Sequence, residues 1–186
     1  LVAMGGLSGW GKSTLALAVA PSMGGPPGAV VLRSDETRKR LCGVPLTERL
    51  GPEGYSPQVS ARVYTALTAR ADLVLQAGHS VIVDAVHAQP ADREAMERVA
   101  RAASVPFIGL WLDAPESVLT ERTGQRTNDP SDADASVVRM QRAHDKRPVA
   151  WHLLDASRPA ASVLSSALGH VHVTIDQLAG PIGKPR

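Results

Sequence analysis

The sequence predicts an α/β fold in which a five-stranded parallel sheet is covered by helices on both faces. Three observations carry that expectation. Short apolar runs alternate with stretches of helical period along the chain. A glycine-rich turn, Gly6-Leu7-Ser8-Gly9-Trp10-Gly11-Lys12-Ser13, joins the first apolar run to the first helical stretch. Carboxylates, among them Asp35, Asp84 and Asp113, stand at or just past the ends of later runs. Ligands bind parallel sheets at those carboxyl ends.

Leu1 to Met4 form the first strand and residues 14–20 the first helix. After the Pro/Gly turn at 24–28, Val30 to Ser34 read as a buried second strand. Asp35 opens a short helix whose acidic start and basic end (Arg38, Lys39, Arg40) suit the helix dipole. Residues 43–57 hold three prolines and three glycines and read as a loop over the site. A long helix follows over 57–76, with Gly78 as its stop. Ser80 to Ala85 make the third strand, Pro90 to Ala103 an amphipathic helix, and Val105 to Leu112 the fourth strand.

Pro115 opens another helix carrying Arg122 and Arg126. A turn at 128–132 leads to a helix over 133–145, then a fifth strand at 149–154 and a helix at 159–168. Val171 to Ile175, rich in β-branched residues, suggest a short extra strand. One domain over 1–178 is expected, with a lid at about 116–146 and a loose tail at 179–186.

The length of 186 residues suits one full core, and a net charge of +2 is no polyanion-binding footprint. A single cysteine, Cys42, allows no internal disulfide and fits a reducing compartment. No apolar run approaches membrane-spanning length and no signal peptide is visible, so a cytoplasmic location is expected. The chain opens inside a strand without an initiator Met, which predicts a piece cut from a longer polypeptide or one that has lost its beginning.

Gly6 to Ser13 fit G-x-x-x-x-G-K-[ST], the phosphate-binding P-loop, in its required strand–loop–helix setting. Glycines let successive N–H groups turn inward on an anion, and the helix N-terminus adds partial positive charge. Gly6, Gly9, Trp10, Gly11, Lys12, Ser13 and Thr14 are therefore the expected nucleotide-binding residues, with Lys12 on the β/γ-phosphates and Ser13 on Mg²⁺. Trp10 stands where a small residue is usual.

Asp35 and Arg38, three apart, supply a carboxylate for a hydroxyl acceptor and a cation for transferred charge. Asp84 either binds Mg²⁺ or pairs with Arg38. Arg122 and Arg126 share a helical face, and with Arg139 and Arg142 beyond the turn they suit a mobile lid. The six histidines show no metal spacing. His170 and His172, at i and i+2, would share a face of a strand there, but surface placement is the favoured reading over a metal site. Met140 and Trp111 read as core, and Cys42 as a small packing residue.

The blocks G-L-S-G-x-G-K-S-T-L-A, L-R-S-D-x-x-R-K-R-L, A-G-H-S-V-I-V-D-A, W-L-D-A-P and D-P-S-D-A-D resemble, in order, the predicted P-loop kinases of the AAA_33 type. The layout is more distantly similar to polynucleotide 5′-kinase, gluconate kinase, chloramphenicol phosphotransferase and zeta toxin. The resemblance implies a P-loop NTPase three-layer sandwich, sheet order 2-3-1-4-5, with a helical lid. It implies Asp35 as general base, Arg38 on the acceptor or reacting groups, and Arg122 and Arg126 on the donor phosphates. It also implies a fused N-terminal phosphotransferase-like domain.

Together these predict an ATP- and Mg²⁺-dependent kinase acting on a hydroxyl of a small molecule. A polynucleotide 5′-kinase is the first alternative, disfavoured by the scarcity of stacking aromatics. A nucleotide-dependent switch or ATPase acting on a fused or partner domain is the second. Nucleic-acid and membrane partners are not expected.

Overall fold

The computed structural model describes residues 1–115 and 150–179, with side chains through 173 in the last helix. Strand and helix alternate along the described residues. β1 spans Val2–Gly5, α1 Lys12–Val19, β2 Val30–Arg33 and α2 Ser34–Cys42. α3 spans Pro57–Gln76, β3 Val81–Asp84, α4 Pro90–Ala102 and β4 Ile108–Asp113. β5 (His152–Asp155) and α5 (Ala160–Ala179) complete the described chain. The five strands are parallel, in the order β2-β3-β1-β4-β5 expected from the resemblance.

Alternation along each strand builds the two core layers. Val2, Met4, Ile82, Leu110 and Leu112 face one side, where Leu15, Ala16 and Val19 of α1 and Val163, Ala167 and Val171 of α5 meet them. Ala3, Val81, Val83 and Trp111 face the other, against Val63, Leu67 and Ala71 of α3 and Met96, Val99 and Ala100 of α4. Gly109 makes the second layer possible, because a Cβ there would lie 2.4 Å from the Trp151 indole. The result is three layers, helix on sheet on helix.

Local signals explain the helix ends. Ser56 caps α3, its hydroxyl accepting from the Val59 N–H at 3.4 Å, with Pro57 in the first turn. α2 starts with Asp35 and Glu36, ends with Lys39 and Arg40, and stops at Gly43 with φ 70°.

The chain corrects one element. Residues 171–175 are not a strand; α5 continues through them. Val163, Ala167 and Val171 recur every four residues and are buried together, so the core selects the helical period over the β-branched composition. His170 and His172 therefore share no strand face. His170 instead stacks on His152 of β5, with ring centroids 4.1 Å apart. Strands four and five begin three residues later than expected, at Ile108 and His152. The predicted lid, with Arg122, Arg126, Arg139, Met140 and Arg142, lies outside the described residues, as does the tail beyond Ala179.

Candidate active site

The loop between β1 and α1 closes on itself through left-handed glycines. Gly6, Gly9 and Gly11 have φ of 122°, 96° and 83°, conformations that L side chains rarely adopt. Gly11 caps α1, so the first-turn N–H groups, which have no partner within the helix, face the loop's concavity. The Lys12 ammonium folds back over the arch and donates to the Leu7 carbonyl at 2.8 Å. Gly6 shapes the loop more than it offers a donor. Its N–H is given to the Val86 carbonyl at 3.2 Å, and a Cβ on it would meet the Leu112 carbonyl oxygen at 2.4 Å.

Parallel pairing sets the carboxylates. Asp84 ends β3, in register with Met4 of β1 and Arg33 of β2. Its Oδ2 accepts the Ser13 hydroxyl at 2.5 Å. Giving its proton to Asp84 leaves the Ser13 oxygen lone pairs for a cation. One hydroxyl and one carboxylate, both hard oxygen donors, suit Mg²⁺, which keeps several waters and takes the rest of its shell from phosphates. Among the described residues no group of three or more His, Cys, Asp or Glu side chains could hold a metal by itself. Ser13 and Asp84 thus fit the expected ion.

Asp35, in the first turn of α2, faces the same small cleft as Ser8, Gly9, Gly11, Lys12, Ser13, Thr14, Ser34, Asp84 and Val86. Burial raises its carboxyl above the ordinary range. The Lys12 charge opposes that shift, while Asp84 adds to it. A carboxylate held in this way is a better proton acceptor than a solvated one.

Arg38 does not line this cleft, although its charge lowers the Asp35 carboxyl against the effect of burial. Its Nη1 donates to the Gly54 carbonyl at 2.8 Å and to the Ser60 hydroxyl at 3.3 Å, and its guanidinium lies 4.9 Å from the Tyr55 ring centroid. It ties the loop after α2 to the start of α3. The expected alternative of Asp84 pairing with Arg38 is therefore not met. Asp84 takes Arg33, whose Nε lies 3.6 Å from Oδ2, because strand register puts Arg33 beside it while Arg38 sits a helical turn further on.

A larger cavity of about 470 Å³ adjoins the cleft, sharing Gly9, Gly11 and Thr14 with it. Leu15 and Ala18 of α1, Leu112 of β4, Ala156 and Arg158 of the β5–α5 turn, and Ala160, Ala161, Val163 and Leu164 of α5 complete the wall. Trp10 also contributes, but its indole is only 2% exposed and belongs to the core under the loop.

The AAA_33 family model, described as an AAA domain, matches residues 1–148. The chain belongs to the AAA_33 family.

Uncharacterized proteins of Mycobacterium tuberculosis (Rv2004c) and Mycobacterium bovis (Mb2027c) are each 32% identical to it over 163 residues. That is 86% of this chain but 32% of each relative, so the chain spans about a third of the length of the curated relatives it matches. Among solved structures, a sugar kinase from Janibacter sp. is 22% identical, with a TM-score of 0.65 over 92% of this chain and 94% of that one. A gluconokinase from Sinorhizobium meliloti is 21% identical, with a TM-score of 0.64 over 95% and 94%. The Mycobacterium tuberculosis APS kinase CysC, solved with AMPPNP and APS, is 22% identical, with a TM-score of 0.65 over 92% and 96%. At these identities the likeness is one of fold.

This AAA_33 domain also has two site residues, Arg33 and Arg158, and a buried histidine, His87, that the sequence does not single out. Arg33 reads as a strand residue one short of its end, and its partner is set only by pairing. Arg158 follows β5 in a short turn and reads as a solvated charge until α1 and α5 close the cavity beside it. His87 lies buried just past β3, between Tyr64 and Trp151, with ring centroids 5.7 and 5.4 Å away.

Proposed function

We propose that this domain is an ATP-dependent kinase that transfers the γ-phosphoryl group to a hydroxyl of a small molecule. The observation that carries this reading is Asp35. A carboxylate of raised basicity shares one cleft with the P-loop lysine and with the Ser13–Asp84 pair. Triphosphate binding alone has no use for a carboxylate there, and phosphoryl transfer does.

Each residue then has a task. The N–H groups from Gly9 to Thr14 bind the β- and γ-phosphate oxygens. Lys12 exchanges the Leu7 carbonyl for those oxygens and neutralises charge that grows in the transition state. Ser13 and Asp84 would hold Mg²⁺, which screens the β- and γ-oxygens when bound. Asp35 orients the acceptor hydroxyl and takes its proton as the oxygen bonds to phosphorus. The bond to the β–γ bridging oxygen breaks, and ADP leaves. The 470 Å³ cavity, on the Thr14 side of the loop, receives the nucleoside. Arg38 fixes the loop after α2 as the acceptor-side wall. Arg122 and Arg126 are proposed to close on the donor phosphates. A fused phosphotransferase-like domain is a further proposal, supported by the greater length of the matched relatives.

Incubating the protein with γ-labelled ATP, Mg²⁺ and a panel of sugars, aminoglycosides, nucleosides and a 5′-hydroxyl oligonucleotide tests the reading. Label on a small hydroxyl compound supports it. Label on the oligonucleotide alone moves the function to polynucleotide 5′-kinase. ATP turnover with no labelled acceptor, unchanged in Asp35→Asn, replaces it with the switch or ATPase reading.

A further inference from the structure

We propose that Arg33 is the positioning residue that holds Asp84, and through it Ser13, in the geometry that receives Mg²⁺ at the phosphate cleft. This rests on the Mg-nucleotide reading above and adds a residue to it. Arg33 and Asp84 are paired by the β2–β3 register. Both side chains are largely enclosed, at 13% and 5% exposed.

The geometry makes one carboxylate oxygen the meeting point. Asp84 Oδ2 accepts the Ser13 hydroxyl at 2.5 Å, and Arg33 Nε lies 3.6 Å from the same atom. The other end of the guanidinium is also held, with Arg33 Nη1 3.3 Å from Glu36 Oε1. Arg40 lies 3.4 Å from the second oxygen of Glu36. A planar guanidinium held at two edges has little freedom to swing, so the carboxylate facing it has little either. Arg38, the nearest arginine on α2, is held elsewhere, by Gly54, Ser60 and Tyr55. Side chains that orient a metal's ligands commonly govern metal affinity without touching the ion.

The test measures AMPPNP binding by calorimetry across a Mg²⁺ titration, and again in EDTA. In Arg33→Gln the Mg²⁺ concentration for half-maximal binding is expected to rise about tenfold, with metal-free affinity held within about twofold. Arg33→Lys keeps the charge without the fork and is expected to fall between Arg33→Gln and the parent. Glu36→Gln loosens Arg33 from outside the cleft and shifts the Mg²⁺ requirement the same way by a smaller factor. It decides the matter should Arg33→Gln fail to fold. An unchanged Mg²⁺ requirement in Arg33→Gln, or an equal loss with and without Mg²⁺, overturns the assignment while the kinase reading stands. A parent protein that binds no AMPPNP at any Mg²⁺ concentration overturns the kinase reading and this inference together.

Discussion

Asp35→Asn is expected to separate nucleotide binding from phosphoryl transfer, and to stabilise the protein while disabling it. The substitution keeps the shape of the side chain in the first turn of α2 and removes its proton-accepting charge. A positioned general base contributes about 10²–10⁴-fold, so kcat should fall by that factor, or about 2.7–5.4 kcal/mol of transition-state stabilisation. AMPPNP affinity should barely move, because Lys12 and the loop amides are untouched.

Stability should move the other way. Burial raises the Asp35 carboxyl above its ordinary value of 3.8. The folded chain therefore keeps a proton on Asp35 in a pH range where the unfolded chain has lost it. Stability contributed by this group is fully present below the unfolded value and is lost as pH rises through the folded one. At neutral pH the charged carboxylate is a net burden, and the amide removes it. Tm should rise in Asp35→Asn, by roughly 2–4 °C for each kcal/mol recovered in a domain of this size. Three assays suffice: steady-state transfer, AMPPNP calorimetry and a thermal melt at neutral pH. A variant that transfers phosphate at the parent rate, or loses AMPPNP binding along with transfer, would refute the role given to Asp35.

Other expectations follow from the same geometry. Burial lowers the His87 imidazole to about 3, so between its unfolded and folded values only the unfolded chain gains the proton. Stability should fall as pH drops from about 6 to 4, by at most about 1.4 kcal/mol per pH unit. His87→Asn, which tolerates the left-handed φ of 52°, should flatten that slope in denaturant titrations at several pH values. Trp10→Ser removes a buried indole under the loop and should cost about 3–5 kcal/mol, read as a Tm drop of roughly 6–20 °C. A drop of only a degree or two would show that the indole is not a core element. Gly6→Ala must place a Cβ against the Leu112 carbonyl oxygen at positive φ. Strain of about 1–3 kcal/mol is expected there, seen as lower stability and weaker AMPPNP binding.

Legibility in the sequence follows the range of the interactions involved. The P-loop was readable because its function is encoded in consecutive residues and in left-handed glycine conformations that only local chemistry requires. Most strands and helices were readable because one period or the other dominates each stretch. Residues 171–175 misled because composition favoured a strand, while burial of Val163, Ala167 and Val171 along one helical face decided for helix. The Asp35–Arg38 spacing placed both residues on α2 but could not say which way each points.

The sequence by itself determined that this chain makes a phosphate cradle on a parallel sheet, with Asp35, Asp84 and Ser13 as the chemically meaningful oxygens. The tertiary structure alone decided their partners. Strand order brings Asp84 to Ser13 across 71 residues of chain, and β2–β3 register, not helical spacing, gives it Arg33. The folding of the loop after α2 commits Arg38 to that loop. The closure of α5 on α1 sets the exposed Arg158 at the edge of a cavity. Pair geometry of this kind depends on which strands lie side by side, and no local pattern in the chain records it.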